Sequence, residues 1–205
     1  MWAFILVVLV LFLIPGPAVF LTLTQTFKGG LKTGIITGVG IAVGDLLHSI
    51  AAVLGLSAIL MSSALAFEVV KYLGAAYLIF LGIKALLEKT KKLEPQPIAK
   101  QENPAVSFRH ALLIELLNPK TSLFFLAFLP QFVKSDGPPV VIQLVTLGLV
   151  FVIMSILYTS SLAFLASSLG NKLFKKDGKV SRWQGKVVGT IYIGLGLQLV
   201  FQSQK

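Results

Sequence analysis

Apolar residues fill this chain in long blocks, each closed by charged residues, glycine or proline. Blocks near or above about 18 residues read as membrane-spanning helices. Six such spans are legible, at about 2–27, 33–60, 66–87, 111–133, 140–169 and 183–201. The stretch 88–110, "EKTKKLEPQPIAKQENPAVSFRH", is polar and punctuated by proline, so it reads as the main linker. "KSDGPP" at 134–139 reads as a turn and "GNKLFKKDGKVSR" at 170–182 as a basic loop. The pattern predicts an all-α integral membrane protein with one transmembrane domain over 1–205. Its parts are a three-helix unit at 1–87, a cytoplasmic linker at 88–110 and a second three-helix unit at 111–205.

Two of the predicted helices are interrupted. Pro15, Gly16 and Pro17 break span one, and Asn118-Pro119 breaks span four. Each is the first span of its half. Spans three and six share a pattern as well. "KYLGAAYLIFLG" carries Lys71, Gly74 and Tyr77 at the spacing of Lys186, Gly189 and Tyr192 in "KVVGTIYIGLG". An odd number of spans per half requires the halves to insert with opposite orientation. Inverted three-helix repeats with broken helices one and four are the expected architecture, and it is a transporter architecture.

At a rise of about 1.5 Å per residue, the first break lies about 20 Å from one face and the second about 15 Å from the other. Both fall near the middle of a hydrocarbon core about 30 Å thick. Irregular backbone at that depth persists only where it is buried in protein or lines a wet cavity. The helices restarting at Ala18 and Lys120 offer N–H groups and a positive dipole end, which suit a carboxylate. The plain alternative is that the prolines only kink packed helices.

Composition sharpens the class. Hydrophobic residues make up 56% of the chain and charged residues 13%, where a soluble domain carries about 25% charged. The net charge of +10 then points to cytoplasmic loops rather than nucleic acid. Lys28, Lys32, the basic residues from Lys84 to Arg109, and those from Lys172 to Lys186 fall on one side. By the positive-inside rule that side is cytoplasmic, and both termini face outward. The first apolar run has no basic leader and meets Pro-Gly-Pro where a cleavage site would stand, so it reads as a retained span. No cysteine is present, which removes disulfide and thiol chemistry. Enzyme chemistry has no support either: there is no His–Glu zinc signature and no phosphate-binding glycine loop.

Ionisable residues inside spans are functional candidates by default. Asp45 lies in "TGVGIAVGDLLHS", where Gly34, Gly38, Gly40 and Gly44 permit close helix approach. His48 follows three residues on, on the same face. These two and Glu115 are the proton-coupling candidates. Glu115, about one and a half turns inside the interface, is alternatively a wet residue at a cavity mouth. Lys120 sits near the midplane and needs a counter-ion, for which Asp45 is at matching depth. Pro15, Gly16, Pro17, Asn118, Pro119, Lys120 and Gln131 are the substrate-binding candidates. For Gln131 a simple interfacial cap is the alternative. Two rivals stand: a divalent-metal or small-cation exporter using Asp45 and His48, and a membrane protein that transports nothing.

"PGPAVFLTLTQTFKGGLKTGIITGVGIAVGDLLHSIAAVLGLSAIL" and "LLNPKTSLFFLAFLPQFV" resemble the two signature regions of the LysE/RhtB family of amino-acid exporters. The resemblance covers nearly the whole chain. It implies secondary export of amino acids or their derivatives by proton antiport in a bacterial inner membrane, without a cofactor. The implied partners are a small zwitterionic amino acid, protons and the lipid bilayer, with a homodimer possible. The same motifs point to Gly44 beside the residues above. One departure concerns Ala18, because the family often has Asn or Asp directly after Pro-Gly-Pro. Its absence implies a more apolar substrate.

Overall fold

The structure is a computed structural model describing residues 1–13, 16–62, 103–134 and 136–173, with scattered single residues between 69 and 87 and between 190 and 197. Most of predicted spans three and six, most of the linker and basic loop, Pro15, and the repeat residues Lys71, Gly74, Tyr77, Lys186, Gly189 and Tyr192 lie outside the described residues.

Among the described residues every element is helical. α1 is Trp2–Leu13. α2 is Pro17–Ser62, divided at Gly30 by φ 76° and ψ −174°. That conformation is open to glycine and strained for any residue with a Cβ. The chain reverses there. A Cβ on Gly34 would lie 2.1 Å from Thr26 Oγ1, whereas residues eight apart on a straight helix stand about 12 Å apart. The two arms, 17–29 and 31–62, therefore lie side by side, and the reversal falls between predicted spans one and two.

α3, Pro104–Leu116, starts inside the predicted linker. The cause is local: the Asn103 side chain accepts the Ala105 N–H at 3.0 Å and Pro104 takes the first helical position. After Leu117 and Asn118 the helix resumes as α4, Pro119–Leu123. It then continues through a π turn at Phe124–Phe128 and a 3-10 turn at Leu129–Phe132. The two parts of this span meet at 45°. α5, Val140–Leu173, runs four residues into the predicted basic loop. The turn before it is held by Gln143, which accepts the Lys134 N–H and donates to the Lys134 and Pro138 carbonyls.

Two described helices are long and apolar enough to cross a membrane, and three if the bent pair is one span. α5 shows how such a helix sorts its faces. Leu144, Leu147, Phe151, Ser155, Thr159, Ala163 and Ala166 are buried at steps of three or four, while Ile142, Leu149, Ile153, Leu157 and Leu165 are exposed. The exposed stripe is apolar, as lipid demands, and the buried stripe admits hydroxyls.

The second arm of α2 packs between α3 and α5 on glycine. A Cβ on Gly40 would fall 2.6 Å from the Phe108 carbonyl oxygen, and one on Gly38 would fall 2.6 Å from Thr159 Oγ1. On the far side of the bundle, α1, the π and 3-10 turns after α4, and α5 share a phenylalanine cluster. Phe4 meets Phe132 at 5.1 Å, and Phe125 meets Phe151 at 4.8 Å.

Gly40→Val forces a side chain against backbone that cannot step aside. It should cost about 1–3 kcal/mol, read as a lower midpoint of thermal unfolding in detergent. Gly55, with nothing within 4 Å of a Cβ, should accept alanine with an unchanged or higher midpoint.

Candidate functional site

A helical carbonyl normally accepts the amide four residues on. For Leu11 that residue is Pro15, and for Glu115 it is Pro119. Neither proline has an N–H, so each break leaves a carbonyl without its helical donor. In the apolar interior such a group needs another partner. Both carbonyls find side chains. Lys120 Nζ donates to the Leu11 oxygen at 3.1 Å. His48 Nε2 lies 2.9 Å from the Glu115 oxygen, which also accepts the Asn118 N–H at 3.0 Å. A carbonyl only accepts, so Nε2 is the protonated nitrogen of His48.

Lys120 thus ties the second break to the first. Its ammonium lies at the C-terminal, negative end of α1. Gly16 makes room for it, since a Cβ there would stand 3.3 Å from Nζ. Asn118 closes the other side. It is extended, as a residue before proline prefers, and its Oδ1 accepts the Lys120 N–H at 3.1 Å. Its Nδ2 donates to both oxygens of Glu115 at 3.2 Å. Thr121 Oγ1 donates to Glu115 Oε1 as well. Glu115 is only 2% exposed, so it is a wall of the interior rather than a wet residue at a mouth.

Asp45 reaches the same place from α2. The close approach is at Gly44, where a Cβ would fall 2.7 Å from Glu115 Cβ. The Asp45 and Glu115 carboxyls interact directly, and Asp45 accepts a hydrogen bond from Ser155. Thr159 Oγ1 in turn donates to the Ser155 carbonyl at 2.7 Å. Both carboxyls act electrostatically on Lys120, so the counter-ion role expected of Asp45 alone is shared with Glu115.

These groups enclose one cavity. Its polar wall is Asp45, Glu115, Asn118, Lys120, Thr121 and Ser155, and its apolar wall includes Leu11, Phe12, Ala18, Val19 and Ile41. Tyr158 also lines it, its ring stacked on Phe12 at 5.3 Å. The free volume, about 30 Å³, has room for a water or two.

Of the residues expected at a substrate site, Gly16, Asn118 and Lys120 come together here with Asp45 and Glu115. Pro17 and Pro119 flank the cavity without lining it, and Pro15 lies outside the described residues. Gln131 is not among the lining residues. Its Nε2 donates to the Ala127 carbonyl at 2.7 Å. His48 faces the Glu115 backbone and stacks on Phe125 at 6.2 Å, so it does not share a ligand space with Asp45. Among the described residues no group of three or more His, Asp or Glu could hold a metal ion. Sequence reasoning missed Ser155, Tyr158 and Thr159. The signal was present: Ser155 and Thr159 lie four apart on the stripe that carries Leu144 and Phe151.

The model for the LysE type translocator family matches residues 9–203. The chain belongs to the LysE type translocator family. This translocator is 32% identical to an uncharacterized membrane protein of Pseudomonas aeruginosa over 97% of the chain and 93% of that protein. It is 30% identical to the membrane protein YrhP of Bacillus subtilis over 96% of each. A leucine efflux protein of Klebsiella pneumoniae is 28% identical, over 91% of this chain and 88% of its own. No solved structure matches the translocator.

Asn118→Ala removes the cap on α4 and two donors to Glu115. The translocator variant should lose about 1–2 kcal/mol, measured as a lower thermal midpoint in detergent.

Proposed function

We propose that this translocator exports small zwitterionic amino acids with apolar side chains, leucine the first candidate, in exchange for protons. The observation that carries the reading is the cavity's composition. One ammonium, two carboxyls and an apolar wall surround a single space at the two helix breaks. A zwitterion with a hydrocarbon side chain is complementary to each of the three.

Lys120 is the carboxylate partner. When it leaves the Leu11 carbonyl, its charge and the first turn at Ala18 and Val19 meet the incoming anion. Asp45 and Glu115 receive the ammonium. Two buried carboxyls in contact tolerate one cation between them far better than none. A proton and the substrate ammonium are then alternative occupants of the same place, and that exclusion is antiport. Ala18, in place of the polar residue common in the family, leaves the side-chain wall apolar. The leucine efflux relatives agree with this choice.

The cavity has to enlarge before an amino acid fits, which suits alternating access. The first span of each half breaks, and the breaks meet through Lys120. This supports two inverted three-helix repeats rocking about a shared site. The basic loops support an exit on the side of the termini, outside a bacterial inner membrane.

The test is uptake of labelled leucine into proteoliposomes driven by an imposed pH gradient. Wild-type vesicles should accumulate leucine and dissipate the gradient together. Lys120→Met and Asp45→Asn each strip one partner from a buried charge cluster. Such losses cost about 3–5 kcal/mol, so coupled uptake should fall more than a hundredfold. Leucine-independent proton flux, or full uptake by Asp45→Asn, would refute the reading.

A further inference from the structure

His48 has no place in the cavity, yet it holds the residue that builds the cavity's carboxyl wall. Pro119 denies the Glu115 carbonyl its helical amide, and the His48 imidazole supplies a donor at 2.9 Å. The carbonyl and the carboxyl belong to the same residue. Fixing the one fixes the other, together with Asn118, which bonds Glu115 through both its amide group and its backbone N–H. The ring is itself held flat against Phe125, with 19° between the planes, inside the π turn that follows the break. We infer that His48 is a positioning residue of the transport site, setting the 45° bend of the fourth span and through it the place of the Glu115 carboxyl. Nothing in this role requires the ring to change charge or to bind a metal. The bond also links the second span to the fourth. The inference rests on the transport reading above.

The experiment is leucine counterflow in proteoliposomes, comparing wild type, His48→Gln and His48→Leu. The glutamine amide keeps an N–H donor at similar reach, and leucine keeps bulk against Phe125 but has no donor. His48→Leu should raise the KM for leucine about tenfold, the size of one lost buried hydrogen bond. Maximal exchange should change less than threefold. His48→Gln should stay within about threefold of wild type in both. If His48→Leu is not recovered as a monodisperse protein in detergent, His48→Met is read in the same way. A wild-type KM in the donor-free variant, or equal losses in His48→Gln and His48→Leu, overturns the inference. Wild-type vesicles that exchange no leucine overturn the transport reading instead.

Discussion

A proline takes one amide out of a helix, and at the two breaks of this translocator Pro15 and Pro119 do so within apolar spans. The Leu11 and Glu115 carbonyls are what remain. The rest of the described structure follows from how they are satisfied. Lys120 reaches across from the second half to the first. His48 reaches from the first half to the second. Each break is therefore completed by the other half of the chain, which brings both breaks to one place and leaves a cavity between them.

The cavity is bounded by two kinds of packing. On the side of α1 and α4 the phenylalanines of the core interlock, with Phe124, Phe125 and Phe151 within about 5–6 Å of one another. Toward the Gly30 reversal the arms of α2 meet α5 on glycine and threonine. Thr22, Thr26, Thr37 and Thr159 are buried, and each returns its hydroxyl to a carbonyl of its own helix. Such hydroxyls are satisfied without any partner helix. The glycine–threonine contacts can separate with little loss of hydrogen bonding, whereas the aromatic cluster loses contact area when it opens. The proposed alternating access draws on that asymmetry.

Much of this was legible in the sequence because membranes constrain sequence strongly. The breaks at Pro15–Pro17 and Asn118-Pro119, the intramembrane Asp45 and Lys120, and the glycine ladder from Gly34 to Gly44 are local patterns, and Asp45, Asn118 and Lys120 line the cavity. What could not be read was side-chain reach. Depth alone matches Lys120 to Asp45, whereas the share taken by Glu115 depends on the bend at Asn118. His48 follows Asp45 on one helix face, and both meet Glu115, Asp45 at its carboxyl and His48 at its backbone carbonyl. Ser155 and Thr159 passed unnoticed because a hydroxyl inside an apolar span carries little signal until its stripe is known. Gln131 shared a motif with Asn118 and Lys120, but the π turn between them carries it away from the cavity.

The most direct test of a carboxylate-binding site at the breaks uses the chain's lack of native cysteine. Ala18→Cys places one thiol in the cavity wall, where alkylation can be followed in membrane vesicles with and without ligand. Leucine should slow the modification in proportion to its occupancy, while leucinamide, which lacks the carboxylate, should leave it unchanged. Equal protection by both compounds, or none by either, would contradict a site built around Lys120.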